Sequence, residues 1–294
     1  MTLSTRYRWL AVPALLLTLT ACDQTGDDQT PDDRATPQDN AATAHAPDAQ
    51  KPQEGLSPTF VNRTLKAPDC EGDDCASIDV HMIKFDNAPE LSSELERRLV
   101  RMGNPISDSV VDEDKLPATV DAYAESFFHQ SARANSDSDN PRPYHTTLEA
   151  KEVSHHDDLL ILELQSYVMT GGAHGLPGTA YMVIDEKTRQ VITLDDMLKE
   201  GQRSAFDQAL ETSWQRWMKE SEAAQGLDPV DWPFSPSDNA APLADNMAVT
   251  YGVYTLGPYA IGQPTLTIPY SDLTGVLKPR FMPETTVTDT PEPR

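Results

Sequence analysis

Apolar and polar residues alternate in several segments of the middle of the chain, a pattern typical of half-buried β-strands. The clearest run is SIDVHMIKF, which begins at Ser77. The segment PYHTTLEAKEVSHHDDLLILELQSYVM predicts two further strands, joined by a polar turn at His155 to Asp158. A glycine-rich connection, TGGAHGLPG, leads to another predicted strand, TAYMVID. The turn DEKTRQ then predicts a hairpin that continues into VITLDDML.

Other segments have the apolar spacing of amphipathic helices. In APELSSELERRLVRM the apolar residues at helical spacing are Leu91, Leu95, Leu99 and Met102. A second helix is predicted over Leu116 to Ala134 and a third from Asp195 onwards. The apolar face of the third ends in three large residues, Trp214, Trp217 and Met218. The segment NMAVTYGVYTLGPYAIGQPTLTIPYSDLTGVL predicts a strand, a loop, a strand and a short helix.

Strands and helices therefore occur in runs and do not alternate strictly along the chain. Such an order favours an α+β fold over a doubly wound one. We predict an antiparallel sheet with helices packed on one face, preceded by a disordered tether. The predicted folded part divides into an N-terminal α+β subdomain, residues 59–150, and a C-terminal one, residues 151–280.

The first residues have the features of an export signal. Arg6 and Arg8 precede an apolar run from Trp9 to Leu19, which is shorter than the roughly 20 residues that a membrane-spanning helix needs. The run ends in LTAC, which resembles the lipobox of bacterial lipoproteins. That resemblance implies a signal peptide over residues 1–21 and a lipid-bearing N-terminus at Cys22. An ordinary secretory signal with an incidental cysteine is the alternative.

Two segments are too polar to fold by burying apolar surface. Residues 22–58 are rich in Asp, Gln, Thr, Ala and Pro, which predicts a disordered acidic tether. Residues 281–294 have a similar composition and predict a disordered tail. We expect the chain to lie in the cell envelope, lipid-anchored on the periplasmic face. Asp23 after the lipidated cysteine favours the inner over the outer membrane.

Cys70 and Cys75 remain once Cys22 carries lipid. Exported chains meet an oxidising compartment, so this C-x4-C pair predicts a short disulfide loop. A zinc site is the rival interpretation, but no second pair of ligands lies near in sequence. His155 and His156 stand beside two aspartates and are interpreted as solvated polar residues. We therefore predict no metal and no other cofactor.

The formal net charge of −24 limits the class of partner. Nucleic-acid binding needs clusters of Lys and Arg, which are not found here, so we predict no nucleic-acid partner. A basic partner would be attracted by such a charge. Plain solubility is the alternative explanation, because the acidic residues are spread along the whole chain.

Two motifs resemble a known family. The first is YVMTGGAHG, from Tyr167 to Gly175, followed by LDDML; the second is YTLGPYAIG, from Tyr254 to Gly262, which continues into LTIPYSDL. In order and spacing they resemble paired extracytoplasmic domains of the lysozyme-sensing anti-sigma-V factor and of the non-catalytic part of a peptidoglycan deacetylase. The resemblance extends over residues 70–279. Because the chain lacks the sigma-binding segment and the catalytic domain of those relatives, we expect a binding or sensing module alone.

Together with the lipobox, the resemblance implies a non-catalytic envelope lipoprotein that binds lysozyme or a cell-wall component such as peptidoglycan. Candidate binding residues come from the two motifs: Gly171, Gly172, His174, Tyr254, Pro258 and Tyr259. His174 has three interpretations, which are a structural role in the turn, a binding role and catalysis. No nucleophile elbow or metalloprotease helix accompanies it, so we predict that the chain is not an enzyme. A cell-wall hydrolase or deacetylase, and a structural envelope protein without a fixed partner, are the alternatives.

Overall fold

The computed structural model describes residues 55–68, 70, 75–104, 116–136 and 141–282. The predicted signal peptide, its Cys22, the predicted tether up to residue 54 and residues 283–294 lie outside these ranges. The described residues belong to one compact unit. The predicted subdomain boundary after residue 150 lies inside a strand. In the sheet, one neighbour of that strand comes from the residues before the boundary and the other from the residues after it.

A six-stranded sheet with its strands in sequence order lies at the centre of the fold. The strands are β1 (Pro58–Lys66), β2 (Ser77–Phe85), β3 (His145–His156), β4 (Leu159–Met169), β5 (Leu176–Asp185) and β6 (Gln190–Ile192). Neighbours are antiparallel except β2 and β3, whose parallel pairing is allowed by the long helical connection between them. Strand β1 was not predicted, because most of its side chains are exposed and its apolar alternation is weak.

Two helices, α1 (Pro89–Gly103) and α2 (Val120–Asn135), cover one face of this sheet. The apolar residues predicted for α1 at positions 91, 95 and 99 are all buried. Helix α2 begins at Val120 rather than at Leu116, because the Thr119 hydroxyl accepts a hydrogen bond from the Ala122 amide and caps the helix. The α+β class and the helix-covered sheet face are therefore confirmed.

The C-terminal part adds a second, three-stranded sheet. Its elements are α3 (Leu194–Met197), α4 (Arg203–Glu220), β7 (Ala240–Pro242), β8 (Asn246–Thr250) and β9 (Thr265–Pro269). The single helix predicted from Asp195 is thus two helices. Helix α3 ends early because Leu198 forms a β-bridge with Leu277 and the Lys199 amide donates to the Val276 carbonyl. These contacts take the chain out of the helical path.

The two layers form two separate hydrophobic cores on opposite faces of the large sheet. Leu148, Leu162 and Leu164 face the core under α1 and α2. Leu159, Ile161 and Val183 face a second core with α4 and the small sheet. This second layer covers only part of its face. Over β1 to β4 most of the remaining side chains are polar and partly exposed, and they include Asn62, Asp79, His81, Thr147, Glu149 and Gln165.

Two contacts hold the C-terminal end of the described region. Phe281, which was placed at the start of the predicted tail, is buried in the second core. Beside it, the Arg280 guanidinium lies 2.7 Å from the buried Asp185 carboxylate and 3.0 Å from Asp158. Burial raises the pKa of Asp185, but hydrogen bonds from Arg280 and the Thr188 amide outweigh it and lower the pKa to about 2. The ordered region therefore includes the first residues of the predicted tail.

Cys70 and Cys75 form a disulfide in the connection between β1 and β2, with their Cα atoms 5.8 Å apart. Beside it, the Ala67 amide donates to the Ala76 carbonyl. The bridge therefore closes the loop at the start of β2 and joins residues close in sequence. This position matches a role in fixing the entry to the strand rather than in linking distant parts of the fold.

Candidate binding surface

Two loops carry the residues that the motifs singled out. The first, residues 170–175, connects β4 to β5, and the second, residues 251–264, connects β8 to β9. The structure brings them into contact. The His174 ring stacks on the Tyr259 ring with centroids 3.7 Å apart and an angle of 23° between the planes. The Tyr254 ring lies near the Tyr259 ring, with the two centroids 5.8 Å apart. We call His174, Tyr254 and Tyr259 the aromatic cluster.

Hydrogen bonds to one carbonyl hold two members of the cluster, His174 and Tyr259, in place. The Tyr259 hydroxyl donates to the Gly175 carbonyl over 2.7 Å. Nδ1 of His174 lies 3.2 Å from the same oxygen. Because a carbonyl oxygen only accepts, this hydrogen bond requires the His174 proton to be on Nδ1. Both lone pairs of this carbonyl are then used, so the position of each ring depends on the backbone at Gly175. The first loop thus aligns the side chains of both loops.

The glycines of the first motif have backbone roles. At Gly175 a Cβ atom would lie 2.4 Å from the Tyr167 ring, and the Gly175 amide donates to the Tyr167 hydroxyl. Gly171 has φ of 80°, in the left-handed region that favours glycine. Gly172 is exposed and has no such constraint. Gly171 and Gly175 therefore shape the loop, as the turn interpretation requires, and His174 presents its side chain from this loop.

The outer side of the cluster is exposed. Tyr254 is 51% exposed, and its φ of 65° is a left-handed conformation that is costly for a residue with a Cβ. Pro258 is also exposed. Tyr167 and Leu176, 40% and 37% exposed, extend the apolar surface on the β4–β5 side. Tyr167 belongs to the first motif but was not among the predicted binding residues. Its position in a strand, on the same side as polar outward-facing residues, could have indicated that its ring is exposed.

His174 contacts aromatic and backbone groups. Within the described part of the chain, no carboxylate or nucleophile is hydrogen-bonded to it. Nor does any group of three or more His, Cys, Asp or Glu residues in the described ranges have the arrangement of a metal site. His155 pairs with Glu186 over 2.9 Å, and Nε2 of His156 lies 3.1 Å from the Pro242 carbonyl oxygen. The arrangement can therefore present flat apolar rings and ring-edge polar atoms to a partner.

Comparison with known proteins identifies the family. A family model described as "Protein of unknown function (DUF3298)" matches residues 195–271, which include Tyr254, Pro258 and Tyr259. A crystal structure of a DUF3298 family protein from Pseudomonas aeruginosa PAO1 is similar to this chain, with 31% identity and a TM-score of 0.66. The match covers 79% of this chain and 99% of the Pseudomonas chain. The chain therefore belongs to the DUF3298 family.

A second solved structure has the same fold at lower identity. It is a DUF3298 family member from Bacteroides fragilis, with 19% identity, a TM-score of 0.56 and coverage of 78% of this chain and 96% of the other. No protein of curated function shows significant similarity to the chain. Among the described residues, no helix is both long and apolar enough to cross a membrane.

Proposed function

We propose that this chain is a non-catalytic binding module of the bacterial cell envelope, and that its aromatic cluster recognises a basic protein of the lysozyme type. The observation that carries the proposal is Tyr254. Tyr254 is half exposed, so it is not explained by packing in the core. Its φ of 65° is strained for tyrosine, and glycine would form the same turn with less strain. Exposed tyrosines held rigidly by neighbours are typical anchors of protein interfaces.

The charge of the chain supports a basic partner. A net charge of −24 attracts a cationic protein over long distances and raises the rate of association. This attraction is unspecific, and it is screened at physiological salt, where the Debye length is about 8 Å. Specific recognition therefore needs an anchor that loses its water on binding. The rings of the aromatic cluster supply flat apolar surface for that purpose.

The proposed location follows from the sequence of the first residues. In this proposal Cys22 carries lipid and the mature chain is anchored on the periplasmic face of the inner membrane. Metabolic labelling with a lipid precursor should mark the wild-type chain and leave the Cys22→Ala variant unlabelled. A wild-type chain that stays unlabelled and free of membrane would contradict the anchor.

Titration calorimetry of the full chain with a basic lysozyme, at low and at high salt, tests the partner. We expect saturable binding that persists at high salt and weakens about 30-fold in Tyr254→Ala, since a central aromatic anchor contributes roughly 2 kcal/mol. Phe60→Ala is the matched control, because Phe60 is an exposed aromatic residue on β1, outside the cluster. Heat that disappears at high salt, or equal weakening in both variants, would refute the proposal.

A cell-wall hydrolase or deacetylase remains the alternative to a binding module. Assays of the purified chain on peptidoglycan, with and without added zinc, separate the two. The binding module predicts no turnover in either assay. Turnover that the His174→Ala variant loses would instead assign catalysis to this loop.

A further inference from the structure

A second concave site lies beside the aromatic cluster, on the open face of the large sheet. It is a groove of about 250 Å³. Its floor consists of outward-facing residues of β3 and β4, which include Thr147, Glu149 and Gln165, and β5 forms one wall. Gln263, from the loop between β8 and β9, lies beside Thr179 of β5 and completes that wall. The sheet fixes the backbone positions from which these side chains project into the groove.

Gln263 points to a missing partner in this groove. Its Oε1 atom accepts a hydrogen bond from the Thr179 hydroxyl over 3.2 Å. Its Nε2 atom is buried, yet it has no hydrogen-bond acceptor among the described residues. Buried amide hydrogens are almost always paired, because leaving one unpaired costs free energy. An oxygen atom of a ligand in the groove would satisfy this donor once the Gln263 side chain turns toward the ligand, because Nε2 has almost no accessible surface in its present position.

The other lining groups define the chemistry of the ligand. None of the described residues that line the groove is Lys or Arg, and Glu149 contributes a carboxylate, so a polyanion would be repelled. The Thr147 hydroxyl lies 3.3 Å from His145 Nε2, and the Gln165 amide donates one of its two hydrogens to Glu163. The Glu149 carboxylate and the rest of the Gln165 amide offer acceptors and a donor side by side. Tyr167 adds a partly exposed ring, whose hydroxyl is fixed by the Gly175 amide. Uncharged polyols with one apolar ring face match this combination.

We propose that this groove binds one ring of an uncharged oligosaccharide. The Gln263 amide donates to a ring or hydroxyl oxygen, Glu149 accepts from a hydroxyl, and the apolar face of the sugar lies on Tyr167. The volume is slightly below the about 300 Å³ at which pockets for small ligands begin, which suits a single sugar ring of a longer chain extending along the open sheet face. The site is distinct from the proposed protein-binding cluster, although Gly175 contacts both Tyr167 and the cluster.

Calorimetric titration of the full chain with the tetramer of N-acetylglucosamine and with cellotetraose tests this site. We expect saturable binding of at least one tetramer and at least about tenfold weaker binding in Gln263→Ala, the effect of losing one well-placed hydrogen bond from a buried donor. Gln263→Glu retains an oxygen for Thr179 and lacks the donor, so it should weaken binding as well. Gln208→Ala, an exposed glutamine on α4, is the matched control and should bind as wild type.

The Tyr254→Ala variant separates this inference from the proposed function. It should keep tetramer binding and lose lysozyme binding. Failure to bind lysozyme together with Gln263-dependent tetramer binding would refute the proposed partner and support the groove. The groove proposal is overturned if neither tetramer binds at millimolar concentration, if Gln263→Ala and Gln263→Glu bind as wild type, or if a basic peptide competes for the groove in place of the sugar.

Discussion

The two faces of the six-stranded sheet differ in what covers them. One face is covered by α1 and α2, and its strand residues are apolar and buried. The other is covered by the small sheet and α4 only over part of β4 and β5. Its uncovered part carries polar residues, the groove and, at its margin, the aromatic cluster. Along one strand, side chains thus alternate between the buried core and the candidate binding face. Substitution of one residue should therefore lower the free energy of unfolding, whereas substitution of its neighbour should mainly affect binding.

The largest expected effect contrasts Leu148 with Thr147, which are adjacent in β3 and face opposite sides. Leu148 is fully buried under the helices, and its truncation to Ala should reduce the free energy of unfolding by about 2–5 kcal/mol. Thr147→Ala should cost less than about 1 kcal/mol, because its side chain faces the open groove. Urea unfolding of both variants measures this. Equal losses would mean that the polar face is also part of a core.

The second effect concerns Arg280, whose ion pairs close the end of the partly covered face. Arg280→Ala leaves the buried Asp185 without its cation, and we expect a loss near the lower end of about 3–5 kcal/mol, since the guanidinium itself is partly exposed. Lys187→Ala is the control: Lys187 pairs with Asp158 but is largely exposed, so its loss should stay below about 1 kcal/mol.

The same pair predicts a pH dependence. The pKa of Asp185 is about 2 in the folded chain, below the value of about 3.9 expected when unfolded. Its contribution is therefore complete above pH 4 and is lost as the pH falls from about 4 to about 2. Thermal unfolding across this range should show a steeper loss of stability for the wild type than for Arg280→Ala. Parallel curves would contradict the assigned role of Arg280.

A smaller effect is expected at the disulfide, on the helix-covered side of the sheet. The loop between Cys70 and Cys75 is short, with a sequence separation of 5, so closing it restricts few conformations of the unfolded chain. Reduction should lower the free energy of unfolding by at most about 2 kcal/mol and leave the fold intact. Mass spectrometry of unreduced peptides from the exported protein checks the bridge. Two alkylatable thiols would show that it does not form there.

The smallest expected effect is a gain in stability at the exposed cluster. Tyr254→Gly relieves a left-handed tyrosine, and we expect the free energy of unfolding to rise by less than about 1 kcal/mol, because glycine also adds freedom to the unfolded chain. Asp157→Gly is the control: Asp157 has φ of 54°, but aspartate tolerates this region better, so it should gain less. A destabilised Tyr254→Gly chain would indicate a structural role for this ring. If Tyr254→Gly loses lysozyme binding while its stability is unchanged or higher, Tyr254 serves binding and not stability. This would distinguish the partly covered face from the helix-covered one.

The spacing of apolar residues predicted most of the helices and strands, because an element that is buried on one side has apolar residues at regular intervals along its own sequence. Strand β2 and helix α1 were predicted within a residue or two for this reason. Strand β1 was missed because it lies at the edge of the sheet with few buried residues. The division of the third helix depends on pairing with residues 276 and 277, which are distant in sequence. Such pairing leaves no local pattern.

The sequence by itself determined the α+β class, the apolar face of α1 and the two loops that carry the conspicuous aromatic and glycine residues. Local spacing and composition are enough for these, since they reflect burial and turn geometry within a few residues. The tertiary structure decided that His174 stacks on Tyr259 and that Gln263 lies across a groove from Glu149. It also decided that the second layer stops short of the sheet edge. These contacts join residues roughly 85 to 115 positions apart, and only the folding of two layers onto one sheet brings such residues together.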